Sequence, residues 1–265
     1  MPPLPLSTRK KRTGLFKGTV ALVTGAALGL GRAIAIAYAE EGARVIVNFS
    51  KWSVDAQETA TLARQAGGEA LVVQADVSND PQVRAMVEQV LHEFGRIDVL
   101  VINAGIVTVS PFADLDSVTD KVWDDQLNIH VKGTFYCCRA VAHTMRRQGR
   151  GCIINMGSVA ALAPQGSSIV YCTSKAAVIH LSKCLARMLG PELRVNVIAP
   201  GFIADTRASE GRPDLEERRR RVIQTSALKR VGSARDVADL AVFQAANAQF
   251  MTGTVLPIDG GRVFH

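Results

Sequence analysis

The sequence predicts an α/β protein, with one doubly wound parallel sheet covered by helices on both faces. Three observations carry that expectation. Short β-rich runs alternate with longer segments of helical periodicity along the chain. The runs VALVT, RVIVN, LVVQ, VLVIN, CIIN and VNVIA are near-continuous apolar stretches, as strands buried on both faces require. No linker or shift in composition divides the 265 residues, so residues 17–265 are expected to form one domain behind a basic, flexible tail of residues 1–16.

The elements follow in order. Thr19–Thr24 reads as the first strand, and Gly29–Glu41 as a helix with apolar residues on a 3.6-residue period. Arg44–Phe49 is a strand, Ser53–Ala66 a helix and Ala70–Gln74 a strand. Pro81 opens a helix that runs to Phe94, with Ser78, Asn79 and Asp80 offering the cap. Asp98–Asn103 is a strand, and Val118–Arg147 reads as one long helix. Cys152–Gly157 is a strand, Tyr171–Leu189 a helix, Arg194–Ala199 a strand, Ala234–Ala246 a helix and Val255–Asp259 the last strand. Arg207–Arg230 breaks the alternation. It is polar and holds four successive arginines, Arg218–Arg221, and segment 202–230 is expected to be either a substrate lid or a solvated charged helix.

Composition excludes several classes. Hydrophobic residues make up 48% of the chain, which is globular rather than disordered or fibrous. The longest uncharged window, Gly151–Ser174, holds Asn155, Pro164, Gln165 and four serines, so no membrane span is expected. The five cysteines form no C-x-x-C pair, and the histidines show no metal-ligand spacing. Reduced core thiols in a cytoplasmic protein without metal are the expectation. The N-terminus lacks the apolar region of a secretory signal. A formal charge of +7 and a pI of about 9.4 bias the surface toward anionic ligands. The basic clusters Arg9–Arg12 and Arg218–Arg221 interleave no aromatics, so no nucleic-acid partner is expected.

The motifs point to a nucleotide coenzyme. Between the first strand and the first helix lies Thr24-Gly25-Ala26-Ala27-Leu28-Gly29-Leu30-Gly31. Glycines there permit a sharp turn and close ligand approach, and the N-terminus of the following helix suits a pyrophosphate. At the end of the second strand an acid would bind ribose hydroxyls and repel a 2′-phosphate. The chain instead has Ser50 and Lys51, which favours NADP(H), with NAD(H) the alternative. Tyr171 and Lys175 lie four apart on a helix and share a face. A neighbouring ammonium is expected to acidify the phenol, making the pair a proton-transfer device for an alcohol or ketone. Ser158 follows a strand, where its hydroxyl could hold the substrate oxygen.

With these motifs the sequence resembles the short-chain dehydrogenase/reductase family from about Lys17 to Gly261. The matching segments are Thr24–Gly31, Asp76-Val77, Asn103-Ala104-Gly105, Ser158, Tyr171 with Lys175, Pro200-Gly201 with Thr206, and Ile258-Asp259-Gly260-Gly261. The resemblance implies a Rossmann-type seven-stranded sheet and NAD(P)-dependent hydride transfer to or from a carbonyl. By it, Gly25, Gly29, Leu30 and Gly31 would cradle the pyrophosphate, and Asp76 and Val77 would contact adenine. Asn103, Ala104 and Gly105 would line the coenzyme. Tyr171 would be the acid/base, Lys175 would hold the nicotinamide ribose, and Ser158 would orient the carbonyl. Ile203 and Thr206 would reach the carboxamide. From the residues alone, Asp76 reads equally as a helix cap or turn residue and Asn103 as a strand end.

One position departs from the family pattern. His130, in LNIHVKG, stands where the family usually has an asparagine that holds a relay water. It would either keep the helix geometry and relay a proton through its ring, or alter the relay. The resemblance is nearest to 3-oxoacyl-carrier-protein reductases and related sugar and polyol dehydrogenases. Val159, Ala160, Leu162, Gln165 and Phe202 suggest a pocket without fixed charge, hence a neutral ketone or secondary alcohol as substrate. NADPH-dependent ketone reduction is the leading expectation. Its rivals are NAD-dependent oxidation of an alcohol, sugar or polyol, and a catalytically silent ligand-binding scaffold. An acidic carrier protein is a candidate partner, and a homotetramer is implied by resemblance alone.

Overall fold

The computed structural model describes residues 14–204, 206 and 214–263. Its strands are β1 (Val20–Val23), β2 (Arg44–Phe49), β3 (Glu69–Gln74), β4 (Val99–Ile102), β5 (Gly151–Met156), β6 (Leu193–Pro200) and β7 (Val255–Ile258). They form a seven-stranded sheet in the order β3-β2-β1-β4-β5-β6-β7, with every neighbouring pair parallel. The helices are α1 (Gly29–Glu40), α2 (Ser53–Gln65), α3 (Asp80–Phe94), α4 (Asp120–Gln126), α5 (Gly133–Arg147), α6 (Ile169–Leu189), α7 (Leu215–Thr225) and α8 (Ala234–Ala246).

Alternate side chains of each strand enter opposite cores, which is why the strands read as unbroken apolar runs. Ala21, Val23, Val45 and Val47 pack with Ile34, Tyr38 and Val242 of α1 and α8. Leu22, Ile46, Leu100 and Ile153 pack with Met86, Cys138 and Met145 of α3 and α5. Tyr38 spans the first layer, its hydroxyl donating to the Ala241 carbonyl at 2.9 Å. Local signals set the helix ends. The Asn79 side chain accepts from the Gln82 amide, and Gly95 closes α3 in the left-handed region. Ser233 and Asp236 form a capping box on α8.

Four expectations change. The helix expected over Val118–Arg147 begins at Asp120 and carries a π-helical segment, Leu127–Lys132, between α4 and α5. One extra residue per turn leaves no trace in a 3.6-residue hydrophobic period. Helix α6 begins at Ile169 rather than Tyr171, because Ser168 caps it by accepting from the Tyr171 amide at 3.1 Å. Phe16 is buried edge-on against Tyr38 at 5.1 Å, so the packed chain starts before the boundary drawn at Lys17; the rest of the basic tail, residues 1–13, lies outside the described residues. Cys137, Cys138 and Cys152 are core thiols raised by burial, but Cys172 is half-buried and Cys184 exposed. Within segment 202–230, residues 205 and 207–213 lie outside the described residues, and the remainder holds the charged helix α7. Among the described residues no helix is long and apolar enough to cross a membrane, and no three His, Cys, Asp or Glu side chains gather as a metal site.

Asn48 ties the central strands to the glycine turn. Fully buried on β2, it accepts from the Gly25 amide at 3.3 Å and donates to the Val73 and Ala75 carbonyls at 3.3 and 3.1 Å. Asn48→Ala strands these groups in the interior and is expected to cost about 2–3 kcal/mol, measured by urea unfolding.

Candidate active site

The strand order reverses direction between β1 and β4, and in parallel sheets the crevice beyond such a point binds ligands. A cleft of about 440 Å³ opens there and extends along the carboxyl ends of the strands. The Asn103 side chain latches its floor, donating to the Thr24 and Gly25 carbonyls at 3.1 and 2.9 Å. In return the Thr24 hydroxyl accepts from the Asn103 and Ala104 amides at 3.0 and 3.1 Å. Gly25 has a φ of 60°, and a Cβ there would lie 2.8 Å from the Ala104 backbone. A Cβ on Gly31 would lie 2.3 Å from the Gly25 carbonyl, so this glycine lets α1 close onto the turn. The turn thus presents bare backbone at the N-terminus of α1, as a pyrophosphate-bearing coenzyme requires.

Ser158 follows β5 in an extended conformation and starts a 3₁₀ turn, Val159–Ala161, by accepting from the Ala160 amide at 3.1 Å. Its hydroxyl is also near enough to the Tyr171 phenol to favour the phenolate. Lys175 lies one helical turn beyond Tyr171, fully inside, and donates to the Met156 carbonyl at 2.9 Å. Its ammonium is 5.9 Å from the Tyr171 ring centre. Burial depresses Lys175 to about 8. The Tyr171 phenol is raised above its ordinary value of 10.0 by burial, a shift that the neighbouring Ser158 hydroxyl opposes. This corrects the expectation that Lys175 acidifies the phenol. Desolvation sets the direction, and the Lys175 ammonium is turned toward a backbone carbonyl. The arrangement holds a protonated phenol and a serine hydroxyl together: two O–H groups that can meet one carbonyl oxygen.

His130 sits in the π-helical segment, 2% exposed. Its Nε2 accepts from the Ile106 amide at 3.1 Å, and its Nδ1 lies 2.8 Å from the Ser174 hydroxyl. Ser174 donates onward to the Tyr171 carbonyl at 2.9 Å, so Nδ1 carries the proton and donates to Ser174. The ring stands edge-on to Tyr171 at 5.8 Å. Gly105 makes room for it; a Cβ there would be 3.0 Å from Nε2. Burial and then Lys175 press the imidazole down to about 2. Both nitrogens are committed, so a neutral His130 clamps the loop after β4 to the helix bearing Tyr171. Of the two roles read from sequence, this geometry suits support rather than relay.

The structure brings most expected site residues to the cleft wall. Gly25, Gly29, Leu30 and Ser50 line one end. Asn103, Ala104, Gly105 and His130 line the middle. Ser158, Tyr171, Lys175, Ile203 and Thr206 line the other end. Gly31 and Lys51 do not line it. Neither do Asp76 and Val77. Asp76 accepts from the Ser78 amide and hydroxyl at 2.9 and 2.7 Å, and Val77 is buried against Gly133, so they take the turn and packing roles. Of the expected substrate-pocket residues, Leu162 is absent from the wall while Val159, Ala160, Gln165 and Phe202 belong to it. Arg218, from the segment expected to be a lid or a charged helix, also lines the cleft, as do Trp52 and Arg262, which sequence reasoning missed. The two arginines overturn the expectation of a pocket without fixed charge. Arg262 follows the last strand and Arg218 lies within a charged run, and neither place carries a spacing signal.

A histidine held neutral far below its unfolded value of 6.5 couples folding to pH. Below about pH 6 the unfolded chain takes up a proton at His130 that the folded chain refuses, so stability falls as pH falls. His130→Asn is expected to remove that slope. Between pH 6 and pH 4 the unfolding free energy of the wild type should drop by about 2–3 kcal/mol more than that of the variant, read from paired urea titrations.

Comparison with known proteins agrees with this geometry. Residues 25–262 match the family model described as enoyl-(acyl carrier protein) reductase. The chain is 39% identical over 244 residues to a Streptomyces violaceoruber protein named as ketoacyl reductase 2 of the granaticin polyketide synthase, covering 91% of this chain and 95% of that one. It is 35% identical over 243 residues to a Staphylococcus epidermidis protein named 3-oxoacyl-acyl-carrier-protein reductase FabG, covering 91% and 97%. The solved structure of levodione reductase superposes with a TM-score of 0.87 at 32% identity, over 93% of this chain and 98% of that one. Glycine turn, sheet order and relatives converge, and the chain belongs to the short-chain dehydrogenase/reductase family, NAD(P)-dependent oxidoreductases acting on CH–OH and C=O groups.

Proposed function

We propose that this protein reduces a ketone to a secondary alcohol, with NADPH as the preferred coenzyme. The observation that carries the reading is the convergence of Ser158 and Tyr171 on one cleft wall, with the phenol held protonated beside buried Lys175. A protonated phenol is the form a carbonyl reduction needs, since the alkoxide must gain a proton as it forms. The coenzyme supplies the hydride. Ser158 donates to the carbonyl oxygen and polarises it, and Tyr171 gives that oxygen its proton. Lys175 holds the nicotinamide ribose, and His130 keeps Tyr171 in place through Ser174. Gly25, Gly29 and Leu30 offer backbone to the pyrophosphate, Ile203 and Thr206 face the carboxamide, and Ser50 with Lys51 receive the 2′-phosphate. The absence of an acid at the end of β2 supports NADPH over NADH.

The relatives named as ketoacyl reductases support a ketoacyl group as substrate and an acidic carrier protein as its bearer. A homotetramer in the cytoplasm completes the reading, tested by light scattering on the purified chain and by fractionation.

Tyr171→Phe removes the proton donor and is expected to lower kcat for ketone reduction by about 10²- to 10⁴-fold, followed at 340 nm. Unchanged turnover would end the proposal. Lys51→Ala removes a cation from the 2′-phosphate site. The NADPH-to-NADH ratio of kcat/KM should fall by about tenfold, and a ratio already favouring NADH in the wild type would overturn the coenzyme assignment.

A further inference from the structure

The cleft does not end at the reacting groups. Beyond Phe202 its wall carries Arg218 of α7 and Arg262, which follows β7. Arg218 lies over the Phe202 ring at 5.8 Å and 3.5 Å from Asp214. Arg221, one turn along α7, bears on the same spot: Arg262 is pressed below its ordinary value by burial first, then by Arg221 and Arg218. Asp259 opposes this, but its two carboxylate oxygens already accept from the Gly261 and Val263 amides at 2.9 and 2.7 Å. Guanidiniums gathered on a half-buried wall repel one another unless an anion joins them.

The sheet order says which anion this is not. Ser50 follows β2 and Arg262 follows β7, five strand spacings away. At about 4.8 Å per spacing the two ends lie roughly 24 Å apart, too far for the ribose 2′-phosphate. The pyrophosphate turn follows β1, four spacings from β7. Ser158 follows β5, two spacings or about 10 Å from β7, the strand that Arg262 follows. The arginines therefore stand on the far side of the reacting groups from the adenosine end.

We infer that Arg218 and Arg262 form a subsite for an anionic group of the substrate, so that the ketone bears a carboxylate or phosphate that reaches this wall. This rests on the reductase reading and narrows it from ketones in general to anionic ones. A free keto acid and the phosphate of a carrier arm share that chemistry.

The test compares matched pairs with NADPH at fixed ionic strength. Levulinate is set against levulinamide, and acetoacetyl-phosphopantetheine against acetoacetyl-N-acetylcysteamine. The charged member of a pair should have a kcat/KM about tenfold or more above its neutral partner, mostly through KM, and the pair that shows this identifies the source. Arg262→Gln and Arg218→Gln should each lower that preference about tenfold, and the double variant should abolish it. Equal rates on both members of both pairs, or a preference untouched by the variants, overturns the subsite while leaving the reductase standing. Levulinate and acetoacetyl-phosphopantetheine binding to the protein saturated with NADP⁺, measured by calorimetry for wild type and double variant, covers the case of no turnover. Arginine-dependent binding without turnover keeps the subsite and ends the reductase reading. Binding of equal strength in both proteins, or none in either, overturns the subsite.

Discussion

The reciprocal latch between Thr24 and Asn103 is the contact on which the site depends. It joins the ends of β1 and β4, where the sheet changes winding direction and would otherwise splay. Four hydrogen bonds satisfy backbone groups that neither strand can pair, because the strands diverge there. Asn48 performs the same service from the β2 side. Held from both flanks, the glycine turn keeps its shape at the N-terminus of α1, and the groups that follow β5 and begin α6 fall on the same edge of the sheet.

Burial governs the chemistry of that edge more than pairwise charge does. Lys175 is lowered and Tyr171 raised, each first by desolvation. His130 is neutral for the same reason, and its two hydrogen bonds fix one tautomer. The result is a chain of oriented neutral donors running from Ile106 through His130 and Ser174 to the Tyr171 backbone. Such a chain sets position without storing charge, which leaves the protonated phenol as the mobile proton nearest the cleft.

Much of this was legible in the sequence. Unbroken apolar runs identified six of the seven strands because burial on both faces leaves no polar alternation, while β7 is a half-exposed edge strand read from its place in the alternation. The glycine turn, Ser158, Tyr171 and Lys175 were readable because strand ends and helical spacing place them by local geometry. The π-helical segment was not, since its hydrogen-bond register is decided by packing against α6 rather than by residue type. Asp76 and Val77 matched a motif, but the turn into α3 uses the Asp76 side chain for itself and Val77 packs against Gly133 of α5.

The sequence alone determined the fold class, the order of elements and the places of the candidate reacting groups, because these follow from period, spacing and turn chemistry along the chain. Only the tertiary structure decided the direction of the phenol's shift, the tautomer and role of His130, and the arrival of Arg218 and Arg262 on one wall. Each of those is set by desolvation or by contact between segments far apart in the chain, and neither leaves a pattern in local residue order.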